Sequence, residues 1–133
     1  MNWLFAVPEA ERTNLSVILW WEKRRLAYNA IIGLYGICSV ALFFTFIELS
    51  GKLQSGEDAV EPLGLFLAPF AINFCYTAGW IVELCVRVLG PDHKVVLGPQ
   101  LMKLGIGFSL FVASLPTLIW GIIVMLQQLH IIK

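Results

Sequence analysis

Charge is scarce in this chain: Asp, Glu, Lys and Arg make up 14% of its 133 residues, against about 25% in ordinary soluble domains. A water-soluble globule this apolar would lack the polar surface to cover itself. What charge there is also cancels, nine basic residues against nine acidic, so no net field recruits nucleic acid or acidic substrates. The longest cationic run, Lys23, Arg24 and Arg25, is too short for a nucleic-acid-binding face.

Residues that usually carry chemistry are equally sparse. Three cysteines, Cys38, Cys75 and Cys85, fall inside apolar runs with no C-x-x-C or Cys/His spacing, which argues against a redox pair or zinc ribbon. They read as buried thiols acting as small hydrophobes. His93 and His130 are the two histidines. Neither has the neighbours of a metal site, since catalytic zinc normally takes three protein ligands. His93 belongs to a Gly90-to-Lys94 turn that reads as solvated, and Glu48 is placed to meet Lys52 or His130 at the opposite boundary. No H-E-x-x-H, Gly-rich phosphate loop or nucleophile elbow occurs, so we expect no catalytic residue, no metal and no cofactor.

The first seven residues lack the basic region of a cleavable signal and run into Pro8, Glu9, Glu11 and Arg12. The first membrane helix is therefore expected to act as its own insertion signal.

What the chain has in abundance is long apolar sequence, 59% hydrophobic residues. A bilayer core about 30 Å thick is crossed by roughly 20 helical residues, and three stretches meet that requirement. The first is 26–49, directly after Lys23, Arg24 and Arg25; the second is 62–89, opened by Pro62 and stopped by Gly90 and Pro91; the third is 104–132, with a kink expected at Pro116. Segment 50–61 is an acidic, turn-rich outer loop and 90–103 a cytoplasmic one. The predicted fold is all-α, a single polytopic membrane domain of three transmembrane helices.

Ahead of the first span, 8–25 is expected to form a separate interfacial amphipathic helix. Trp20 and Trp21 would lie among headgroups, and Lys23, Arg24 and Arg25 would contact anionic phosphates. Orientation follows from the basic residues. With three spans Arg12, Lys23, Arg24, Arg25, Arg87, Lys94 and Lys103 share one side, and Lys52 and Lys133 the other. This bias places the N-terminus in the cytoplasm and the C-terminus outside, in the manner of small bacterial inner-membrane proteins.

The second span alone carries internal charge. At 100° per residue Asn73, Tyr76, Thr77, Trp80, Glu83 and Arg87 occupy an arc of about 120°, interrupted by Leu84. Lipid offers such groups no hydrogen bonds, so the face should turn towards other helices or a partner. Glu83 and Arg87 have the i,i+4 order of a helical ion pair, and Asn29 is expected to meet one of them at the cytoplasmic boundary. Ala30, Gly33 and Gly36, with Ser109 and Ala113, permit close helix approach.

Three helices bury few faces among themselves. We therefore expect a non-enzymatic scaffold or accessory subunit, self-associating or bound to a membrane partner through the polar face of the second span. An oligomeric channel, transporter component or permeabilising effector lined by Thr77, Glu83 and Arg87 is the alternative; an intramembrane enzyme with scattered residues comes third.

Overall fold

A computed structural model describes residues 3–7, 13–51, 62–90 and 96–130, the side chains of 62–65 excepted. The expected outer loop, the turn holding His93 and Lys94, and the acidic residues before Thr13 lie largely outside the described residues. Three helices make up the fold: α1, Asn14–Ser50; α2, Pro62–Leu89; and α3, Gly98–Gln128. Each is long and apolar enough to cross a membrane. No strand occurs among the described residues.

The separate interfacial helix is corrected. Residues 14–25 are the opening turns of α1, which runs unbroken for 37 residues, about 55 Å. A break needs a breaker, and residues 14–32 contain neither proline nor glycine. The start is set instead by Thr13, whose hydroxyl accepts from the Ser16 amide while the Ser16 hydroxyl donates back to the Thr13 carbonyl. Gly51 ends the helix at φ 59°, a left-handed conformation that glycine adopts without steric cost. α2 has the expected limits, and carries Pro69 as well as Pro62. α3 begins six residues before the expected 104, because Pro99 suits a first turn where its missing N–H costs nothing. It continues through Pro116.

α1 and α3 run parallel. Their contacts keep a nearly constant offset, between 74 and 81 residues, over the whole length. Tyr28 meets the Ser109 hydroxyl at 2.8 Å and Tyr35 that of Ser114 at 2.5 Å. The Ser39 hydroxyl donates to the Ala113 carbonyl at 2.6 Å, and the Thr117 hydroxyl returns a bond to the Ser39 carbonyl at 2.8 Å. At the far end the Gln127 amide reaches the Ser50 carbonyl. This line of hydroxyls holds two apolar helices in register where hydrophobic burial cannot, since lipid is as apolar as the side chains.

α2 is antiparallel to α1 and touches it over a shorter length. Contacts progress from Trp21 opposite Gly79 and Glu83, through Arg25 opposite Thr77, to Asn29 opposite Asn73. The buried core lies at this end, around Val17, Trp20, Trp21, Tyr28, Ile32, Tyr76 and Met102. Farther along, the outward faces carry uncovered Leu34, Ile37, Phe70, Phe111 and Ile122, the surface a helix presents to lipid. The three cysteines lie on uncovered surface too, a correction to their expected burial: a thiol is small and apolar enough to face acyl chains.

Candidate functional site: the polar cap at the amino end of α1

The polar residues of α2 converge on the first four turns of α1. Trp21, 2% exposed, donates its indole N–H to Glu83 Oε2 at 2.7 Å, and Glu83 is fully buried. The other carboxylate oxygen accepts the backbone N–H of Leu97 at 3.3 Å. Leu97 is the N-cap of α3 and offers no side-chain cap of its own. A carboxylate from α2 therefore fills that position, where amide donors and the positive end of the helix dipole favour an anion. One side chain thus ties all three helices together.

Two glycines make this approach possible. A Cβ on Gly79 would lie 2.8 Å from Trp21 Cη2, and one on Gly98 would lie 3.0 Å from both Glu83 Oε2 and Trp20 Cζ3. The Tyr76 hydroxyl donates to the Trp21 carbonyl. Edge-on rings continue the packing, Trp20 to Trp21 at 5.5 Å and Trp21 to Tyr76 at 5.3 Å, the geometry that aromatic quadrupoles prefer.

Arg25 forms the membrane-side border of the cap. It pairs with Glu22 at 2.7 Å, donates to Asn73 and Thr77 at 3.3 Å, and lies 5.0 Å from the Tyr76 ring centre. Asn29 donates to Asn73 Oδ1 at 3.1 Å. The expected Asn29 contact with Glu83 or Arg87 is thereby corrected. In an antiparallel pair, residue 29 falls opposite residue 73, and Glu83 falls level with Trp21, ahead of Lys23, Arg24 and Arg25. Glu83 therefore lies beyond the uncharged stretch of α1, and the cost of a carboxylate at mid-bilayer does not arise.

Arg24 is 7% exposed, where sequence placed it among lipid phosphates. Its guanidinium lies 3.9 Å from the Trp20 ring centre and donates to the carbonyls of Trp3, Leu4 and Trp20. Trp20 donates to the Ala6 carbonyl at 3.3 Å, so residues 3–7 are strapped across the end of α1. Of the residues expected at the interface, Lys23 is exposed and Arg25 partly so, whereas Trp20 and Trp21 are buried. Trp3, half exposed, holds the outward aromatic position instead.

Arg87, 5% exposed, completes the cap in the last turn of α2. Trp80 also turns into it. Among the described residues, Trp80 Nε1 and Asn29 Oδ1 are buried without a hydrogen-bond partner. His130 is exposed after α3, remote from the cap, and no group of three His, Cys, Asp or Glu side chains gathers among the described residues. Sequence reasoning placed Asn73, Tyr76, Thr77, Trp80, Glu83 and Arg87 on one face of α2, but assigned Asn29 to Glu83 or Arg87 where it meets Asn73. It missed the hydroxyl line between α1 and α3, whose sign was Tyr28, Tyr35 and Ser39 at seven- and four-residue spacing.

Three helices, each long and apolar enough to cross a bilayer, define an integral membrane protein. The chain matches no protein family, no curated protein and no solved structure.

Proposed function

We propose that this protein is a non-enzymatic accessory subunit of a membrane assembly, and that it receives a partner's transmembrane helix. The observation that carries this reading is the groove left on the α2 side of the farther half of α1. Beyond Asn29, α2 parts from α1, leaving a groove of about 760 Å³ between Gly33, Gly36 and Val40 of α1, Ala68 of α2 and Ala113 of α3. A Cβ added to Gly33 or Gly36 would meet nothing within 4 Å. Glycines on an open helix face allow the backbone approach on which helix association in lipid depends.

On this reading the interaction surface lies beside the farther half of α1 and not on the polar face of α2. Tyr76, Glu83 and Arg87 are each 5% exposed or less within one chain. A channel lined by Thr77, Glu83 and Arg87 of several copies would have to uncover the last two. The bias of basic residues supports a cytoplasmic N-terminus and an external C-terminus in a bacterial inner membrane. Thiol labelling of a terminal cysteine from outside intact cells checks that orientation.

The test is native mass analysis in lipid nanodiscs after affinity purification from the membrane. The wild-type chain is expected to carry a second polypeptide, Gly36→Ile to lose it, and Asn73→Ala to keep it. A lone monomer, or an assembly untouched by Gly36→Ile, would overturn the reading; pairing with a second copy of this chain would replace the partner by self-association.

A further inference from the structure

A second cavity, separate from that groove and independent of the accessory-subunit reading, lies where all three helices meet just above the cap. It measures about 250 Å³. Trp21, Tyr28, Tyr76 and Met102, all 3% exposed or less, form its floor. Gly79 and Gly105 widen it, since neither brings a side chain. Its mouth lies between α2 and α3 and is bordered by Cys75, Leu104 and Phe108, which are uncovered by protein. The Tyr28–Ser109 pair fixes its depth: the mouth is level with the first turns of α1 beyond Arg25, at the border of the apolar slab.

The floor carries one well-defined polar feature. Tyr28 and Ser109 hydroxyls share a hydrogen bond of 2.8 Å. Two hydroxyls bring two protons and their mutual bond uses one, so one proton is left to donate at the wall of the cavity. The space is too small for a helix 10–12 Å across. An acyl chain would fill it yet leave that donor without an acceptor, at a cost. Flat aromatic walls, one donor and a mouth open to lipid suit a ring that carries an acceptor oxygen and reaches the site through the bilayer.

We propose that this cavity binds the head ring of a membrane-soluble quinone or a like carbonyl-bearing ring. A ring oxygen accepts from the Tyr28–Ser109 pair, and the apolar tail leaves between Cys75 and Phe108. The class is set by size, flatness, one acceptor and lipid solubility together. No electron transfer is implied by binding.

Protein in nanodiscs of neutral lipid is titrated with decylubiquinone, followed by quenching of tryptophan emission against protein-free discs. The wild type is expected to saturate and to bind decylubiquinone roughly three- to ten-fold more tightly than decylbenzene, which has the tail and ring without the oxygen and is read by its displacement of decylubiquinone. Gly105→Leu fills the cavity from a position whose Cβ would meet only Tyr28, at 4.0 Å. It should weaken binding by about ten-fold or more, and the double change Tyr28→Phe with Ser109→Ala, which removes both hydroxyl protons, by roughly three- to ten-fold. Non-saturating quenching, equal affinity for decylbenzene, or full binding in Gly105→Leu would each overturn the proposal. If Gly105→Leu fails to fold, the double change and the decylbenzene comparison still decide it.

Discussion

The two ends of this bundle solve the same problem with opposite means. At the amino end of α1, indole, phenol, guanidinium and carboxylate groups are buried together, and Glu83 alone engages α1 and the start of α3. In the farther half α1 and α3 are joined by the small hydroxyls of Ser39 and Thr117 at 2.6–2.8 Å, while α2 leaves a groove beside them. A polar group buried near the membrane border stabilises by being satisfied; a helix face left bare in lipid costs little, because lipid covers it. The cap is therefore where stability concentrates, and the groove is where a partner finds room.

Substitutions can break that contrast, and the largest effect belongs at the junction of all three helices. Glu83→Ala leaves the Trp21 indole and the Leu97 amide without their acceptor, and should destabilise by about 3 kcal/mol in reversible unfolding from mixed micelles. Glu83→Gln retains an acceptor oxygen and should cost less. Next comes Gly79→Ala. Its Cβ would lie 2.8 Å from Trp21, a ring held on both sides, so a loss of roughly 1–3 kcal/mol is expected in the same measurement, with a changed near-ultraviolet dichroism of the aromatic cluster.

In the other half the effects shrink. Ser39→Ala removes the side-chain bond to the Ala113 carbonyl and the contact with the Thr117 hydroxyl, for about 0.6–1.7 kcal/mol. Gly36→Ala should cost nothing and even stabilise the isolated chain by up to about 1 kcal/mol, because its Cβ meets open space. A loss as large as that of Gly79→Ala would mean that the groove is closed.

Much of the architecture is legible in the residues, and the reasons for the rest are physical. Uncharged runs of spanning length locate three helices because the bilayer imposes a length. Pro62, with the Gly90–Pro91 stop, fixes α2 because chain ends are local. The continuity of α1 through residue 25 was hidden by the interfacial look of Trp20, Trp21 and the three cations. That composition serves equally for an aromatic cap. The angular argument groups Asn73 to Arg87 on one face, yet angle says nothing of depth. Depth comes from the α1–α2 register, and that depends on Gly79 and Gly98 admitting Trp21, Trp20 and Glu83, a fit between residues distant in sequence.

The claim that the charged face of α2 is spent inside the chain rests on the indole–carboxylate bond between Trp21 and Glu83. A double-mutant cycle of Trp21→Phe and Glu83→Leu, read by reversible unfolding in micelles, tests it most directly. Coupling of about 1–3 kcal/mol is expected, because each single substitution strands the partner's buried polar group and the double one strands neither pair member. Additivity to within about 0.5 kcal/mol would contradict the account and return Glu83 to lipid, to water or to another subunit.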